Sequence, residues 1–118
     1  MDFIIPHYNN IEGLRNTINS TFYRSFPNLH VIVVDDCSTN CDIHILEKEY
    51  PQVRFISTDA NSGPGAARQK GIDVSTSPYL MFLDAGDKVG SKIAMSNALK
   101  TIAAYNDAYL YAFSWYNP

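Results

Sequence analysis

Asp35 and Asp36 follow directly on the apolar run His30-Val31-Ile32-Val33-Val34, and Asp84 and Asp87 follow Tyr79-Leu80-Met81-Phe82-Leu83 in the same way. A continuous run of β-branched and large apolar residues reads as a strand buried on both faces of a parallel sheet. Carboxylates at the end of such a strand stand at the carboxyl edge of the sheet, where open α/β sheets place their ligand crevice. Two buried strands delivering four carboxylates to one edge is costly unless something meets the charge. A divalent cation, a base or a sugar hydroxyl would do so.

Other residues along the chain fit that edge. Pro6 fixes a rigid turn after the first apolar segment, Phe3-Ile4-Ile5. Tyr8 then offers an aromatic face on which a planar base could stack, or packs under a helix. Asp35 and Asp36 serve as helix caps, as acceptors from a base or ribose, or as solvated loop carboxylates. In Asn61-Ser62-Gly63-Pro64-Gly65-Ala66-Ala67-Arg68 the glycines permit close backbone approach and Pro64 suits a first helical position. The free amides of that helix start would favour an anion, and Arg68 in the first turn could grip phosphate as a fork. An ordinary helix start with a surface arginine is the plainer alternative. Asp84-Ala85-Gly86-Asp87 supplies hard oxygen ligands for Mg²⁺ or Mn²⁺, or is simply a turn.

Several residues carry less. His7, His30 and His44 are scattered, with no partner at ligand spacing, and read as structural or solvated. Cys37 and Cys41 are too few for a zinc site and read as reduced thiols near a loop. Tyr105, Tyr109 and Tyr111 read as core or contact surface.

The elements that must hold these groups alternate. A first strand covers Phe3–Ile5 and stops at Pro6. Asn9 or Asn10 caps a helix with Ile11, Leu14, Ile18 and Phe22 on one face. After the strand ending at Val34, a second helix turns Ile43, Leu46 and Tyr50 inward and ends at Pro51. Val53–Ile56 is a strand nearer an edge. A helix follows from Pro64 to Val74, then a strand over 79–83. Ser91 caps a fourth helix with Ile93, Met95, Leu99 and Ile102, and a last strand lies within Ala108–Phe113. This order predicts an α/β fold of three layers, a mostly parallel sheet with helices on both faces.

At 118 residues the chain is expected to be one domain, with 46% hydrophobic and 18% charged residues as in globular proteins. The net charge of -3, with no Lys/Arg cluster, argues against a nucleic-acid partner. No apolar run approaches a membrane span and no signal segment opens the chain, so the expectation is a soluble, cytoplasmic protein. The abrupt aromatic ending, Ser114-Trp115-Tyr116-Asn117-Pro118, looks like a chain cut from something longer.

Four segments, taken together, resemble the nucleotide-sugar-binding half of the GT-A glycosyltransferases of glycosyltransferase family 2. They are Phe3-Ile4-Ile5-Pro6-His7-Tyr8-Asn9, Val31-Ile32-Val33-Val34-Asp35-Asp36-Cys37-Ser38-Thr39, Asn61–Arg68 and Tyr79–Asp87, in family order over nearly the whole chain. The resemblance implies a GT-A fold and transfer, with inversion, of a sugar from a UDP-sugar to a saccharide or lipid-linked acceptor. It implies that Pro6 and Tyr8 line a base pocket and that Asp36, together with Asp35, holds uracil. Asn61, Gly63 and Arg68 would lie along the nucleotide and its diphosphate. Asp84 would open the Asp-x-Asp motif for ribose and for Mg²⁺ or Mn²⁺; its third position is Gly86, and Asp87 directly follows as the second metal position. The base of such enzymes lies downstream, beyond Pro118. After Asp87 only Asp107 is acidic, so the donor-binding half alone is expected to transfer little sugar. A homodimer and a site at the inner face of the membrane stay open. So do two other functions, a sugar-phosphate nucleotidyltransferase and a non-catalytic nucleotide-binding or assembly domain.

Overall fold

The computed structural model describes residues 1–105. The strand expected within Ala108–Phe113, and with it Asp107, Tyr109, Tyr111 and the aromatic ending, lies outside the described residues. In chain order the elements are β1 (Asp2–His7), α1 (Ile11–Ser20), β2 (His30–Asp35), α2 (His44–Glu49), β3 (Arg54–Ser57), α3 (Pro64–Val74), β4 (Leu80–Phe82) and α4 (Lys92–Ala104). The four strands form one parallel sheet in the order β3-β2-β1-β4. Among the described residues no helix is long and apolar enough to cross a membrane.

Alternation along the strands sorts the core into two layers. Phe3, Ile5, Val31 and Val33 face Leu14 and Ile18 of α1, Leu46 of α2 and Met95 of α4. Ile4, Ile32 and Val34 face Ala67 of α3. The sheet therefore has helices on both faces, the three layers that the alternating elements predict.

Four local expectations are corrected. Pro6 does not stop β1; the strand runs to His7, with Pro6 opposite Val34. The carbonyls of Met1 and His7 accept from β2, at His30 N–H and Asp36 N–H. Asp2 and Ile4 bond instead to the β4 side, at Tyr79 O and Leu83 N–H. Pro6 shares the parity of Asp2 and Ile4, so its missing donor faces β4, where pairing has already ended at Phe82.

Phe22 is not on the face of α1. The helix ends at Ser20, and Phe22 sits in the left-handed region with φ 52°. The Ser20 and Thr21 hydroxyls donate back to Thr17 O and Ile18 O, which competes with continuation of the helix. Ile93 is 74% exposed, because the buried stripe of α4 runs through Met95 and Ile102 and turns Ile93 outward. The strand over 79–83 is not buried on both faces. Leu80 and Phe82 are 37% and 39% exposed, since β4 is an outer strand among the described residues.

Gly71 shows how closely α3 lies on the sheet. A Cβ there would collide with Cγ2 of fully buried Ile4, whereas one at Gly65 of the same helix would meet nothing within 4 Å. We therefore expect Gly71→Ala to destabilise the fold by about 1–3 kcal/mol through overpacking. Gly65→Ala should stabilise it by up to about 1 kcal/mol, through lower entropy of the unfolded chain. Urea denaturation of both variants checks the contrast, and equal effects would contradict the packing.

Candidate functional site

Strand order reverses at β1: the chain steps from β1 to β2 on one side and reaches β4 on the other. At such a switch point the connections leave in opposite directions and a crevice opens beyond the carboxyl ends. A hollow of about 370 Å³ lies there. Pro6, Tyr8, Asp36, Asn61, Gly63, Arg68 and Asp84 all line it, so seven positions from four separate segments meet in one place. His7, Asn10, Pro64, Ala67 and Ala85 complete the wall. Tyr8 is the exposed aromatic of this group.

Asp36 is buried and fully engaged. Oδ1 accepts from Thr58 Oγ1 at 2.8 Å and from the Ser62 amide at 2.9 Å, and Oδ2 accepts from the Gly63 amide at 2.8 Å. Its carboxylate thus shapes the loop that carries Asn61 into the hollow. Gly63 adopts φ 90°, which a side chain would strain, and Pro64 starts α3 directly after it. The amides that open a helix have no internal partner. Ala67 N–H donates to Gly63 O, so the amides of Gly65 and Ala66 come before this first bond of α3, whose start borders the hollow. Burial pushes the Asp36 carboxyl up, but the donors Ser62, Thr58 and Gly63 outweigh it and hold the group below its ordinary value.

Asp35, expected beside Asp36 in the base pocket, does not line the hollow. Its carboxylate accepts from the His7 ring at 2.8 Å, from the Ser38 hydroxyl at 2.5 Å and from the Ser38 amide at 3.1 Å. The other ring nitrogen of His7, Nε2, accepts from the Asn10 amide at 2.8 Å, which places the ring proton on Nδ1. His7 is therefore not a stray histidine. It is a buried post between the β2 loop and the start of α1, a role that no ligand spacing signals.

Arg68 reaches across the hollow from α3 and its Nη2 meets Asp84 Oδ1 at 2.8 Å. Asp87 lies outside the lining. Its Oδ2 accepts from the Asp84 amide at 3.0 Å, and its own amide donates to Asp84 O at 2.9 Å, so Asp84–Asp87 is a closed turn. Among the described residues no group of three or more His, Cys, Asp or Glu side chains forms a metal cage. Mg²⁺ commonly takes only one or two carboxylates and completes its shell with substrate phosphate and water. Asp84, at the hollow, with Asp87 in the same turn, fits that smaller donor set.

The three donors on Asp36 give a signed expectation. Because the native carboxyl titrates below the unfolded one, its stabilisation is complete above the unfolded value of about 4 and is lost as pH falls through the lower native value. Asp36→Asn should cost about 1.5–3 kcal/mol at pH 7, since charge-assisted bonds are lost and an amide N–H₂ meets backbone donors. Denaturant melts from pH 7 to pH 3 should show wild type and variant converging in acid; a constant gap would rule out the carboxylate as the cause.

The profile of the family described as Glycosyl transferase family 2 matches residues 2–117. The uncharacterized glycosyltransferase YibD of Escherichia coli (strain K12) is 34% identical over 110 residues, covering 91% of this chain and 31% of YibD. The crystal structure of S. aureus TarS 1–349 in complex with UDP superposes with a TM-score of 0.78 at 28% identity, covering 89% of this chain and 32% of that one. TarS 1–349 has also been solved in complex with UDP-GlcNAc, with a TM-score of 0.77 at 28% identity. The chain thus spans about a third of the length of these relatives. The parallel sheet with its crevice at the β1/β4 switch is the GT-A fold, and the chain belongs to glycosyl transferase family 2.

Proposed function

We propose that residues 1–118 form the donor-binding part of an inverting glycosyltransferase that draws on a cytoplasmic UDP-sugar. The observation that carries this reading is the single hollow that gathers Tyr8, Asp36, Asn61, Arg68 and Asp84 at the sheet's switch point. The UDP and UDP-GlcNAc complexes of TarS support the choice of nucleotide.

In this reading Tyr8 stacks on the uracil beside Pro6. The Asp36 loop meets the polar edge of the base, and Asn61 and Gly63 follow the ribose. The diphosphate lies at the start of α3, where free amides and Arg68 favour its charge. Mg²⁺ or Mn²⁺ held by Asp84 and Asp87 with the diphosphate would neutralise the leaving group. An acceptor hydroxyl attacks the anomeric carbon from the opposite side. The new C–O bond forms as the bond to the β-phosphate oxygen breaks, UDP leaves, and the hydroxyl proton passes to a carboxylate supplied beyond Pro118. A saccharide or lipid-linked acceptor is the class we propose; the poly(ribitol-phosphate) beta-glucosyltransferase of Bacillus spizizenii, named for transfer to a polyhydroxylated polymer, is among the relatives.

Calorimetric titration with UDP, uridine and Mn²⁺ tests the reading. UDP should bind, Mn²⁺ should tighten it, and Asp84→Ala should abolish the gain from Mn²⁺. Arg68→Ala should weaken UDP by about ten- to a hundredfold while leaving uridine unchanged, as expected for charge-assisted contacts of about 1.5–3 kcal/mol. A chain indifferent to UDP would overturn the proposal. The 118 residues alone should transfer little or no sugar from a UDP-sugar to an acceptor; robust transfer would place the base within them.

A further inference from the structure

The Asp84–Asp87 turn has no sheet of its own to rest on. β4 ends at Phe82, and the last ladder bond before the turn is Leu83 N–H to Ile4 O. What holds the turn is one face of α1. Thr17, which is 0% exposed, places its Oγ1 among three backbone groups of the turn. The hydroxyl donates to Asp87 O at 2.5 Å, with Asp84 O at 3.4 Å, and accepts from Gly86 N–H at 2.9 Å. On the same helix face Asn10 Nδ2 donates to Ala85 O at 3.3 Å and Ser20 Oγ accepts from Val89 N–H at 3.0 Å. Gly86 N–H is shared with Gly13 O at 3.2 Å, and Gly86 takes φ 108°, a conformation that fits the turn around the hydroxyl.

We propose that Thr17 is the positioning residue of the acidic turn: its buried hydroxyl sets where Asp84 and Asp87 stand relative to the donor's diphosphate. The claim rests on the donor-binding reading above. A single hydroxyl that donates to one end of the turn and accepts from its middle fixes both at once. Asn10 and Ser20 each make one bond, at Ala85 O inside the turn and at Val89 N–H beyond it, so neither ties the middle of the turn to its end. Thr17 meets no part of the hollow itself, so its effect on ligand passes wholly through the turn.

Thr17→Val removes the hydroxyl at almost constant volume, and Thr17→Ser keeps it. In T17V the Mn²⁺-dependent affinity for UDP should fall by about tenfold or more, as for other residues that orient ligating groups. Uridine lacks the diphosphate, and its ribose follows Asn61 and Gly63 in the reading above, so it should bind within twofold of wild type. T17S should return UDP affinity to within about threefold. Amide exchange of Gly86 should speed up by tenfold or more in T17V and stay near wild type in T17S. T17A repeats the measurement where T17V does not fold. Unchanged UDP affinity in a variant that still binds uridine overturns the proposal, and so does an equal loss of uridine and UDP, since the hydroxyl would then serve the whole fold. If wild type binds neither uridine nor UDP while Gly86 exchange still responds to T17V, the donor-binding reading fails and the placement of the turn stands.

Discussion

The β1–β4 ladder covers Asp2–Ile4 and ends there, because the next residue of β1 that faces β4 is Pro6, which has no N–H to give. On its other side β1 stays paired with β2 through His7. The sheet is thus closed on one flank of β1 and split on the other. The split is where the Asp84 turn departs and where the hollow begins. A residue with a free N–H at position 6 could extend pairing toward Leu83 and draw the two strand ends together. The crevice therefore depends on a missing donor in an inner strand.

Four carboxylates converge on this edge, and the structure treats them unequally. Asp35 and Asp36 are buried, with exposures of 6% and 4%, and each accepts three hydrogen bonds. Burial of charge is tolerated because every bond is directed and most donors are backbone amides or hydroxyls held by the fold. Asp84 is different. It meets Arg68 with side-chain exposures of 60% and 35%, a pair screened by water and worth under about 1 kcal/mol. The Asp36 side of the hollow is consequently rigid, while its Arg68–Asp84 side holds two opposite charges that separate at little cost. In the reading we propose, an incoming diphosphate takes Arg68 from Asp84 without disturbing the Asp36 loop.

The sequence made some of this legible because its signals were local. The apolar runs of β1 and β2, the Gly-Pro start of α3, the caps Asn10 and Ser91 and the outer place of β3 among the described residues all follow from residues within a few positions of one another. The convergence of Asp36, Arg68 and Asp84 followed from strand ends and crossover handedness. What was hidden depended on partners distant in sequence. Whether Pro6 ends a strand or sits inside one is decided by which neighbour its ring faces. Phe22 lost its place on α1 to two hydroxyls that compete for backbone carbonyls. Asp35 was drawn from the pocket by His7, 28 positions earlier, and neither residue announces the other. Thr17 reads as a filler on a helix face until the turn some seventy residues later closes over it.

These hidden contacts share one element. The His7 ring fixes the Asn10 amide, Asn10 caps α1 by accepting from Gly13 N–H, and the same side chain reaches Ala85 O. Two turns further on, Thr17 holds Gly86 and Asp87. Asn9, just ahead of the helix, donates its amide to Ser38 Oγ and accepts from the Thr39 and Asn40 amides, which fastens the loop after Asp36. Helix α1 and its entry thus bind the loops after β2 and β4 to the end of β1, although none of those loops pairs with another in the sheet. Its apolar face, Leu14 and Ile18, anchors it in the core. Rigid packing on one side and polar contacts to loop backbone on the other let an amphipathic helix set the spacing of groups it does not itself carry. That is how a three-residue strand can carry an acidic turn with defined aim.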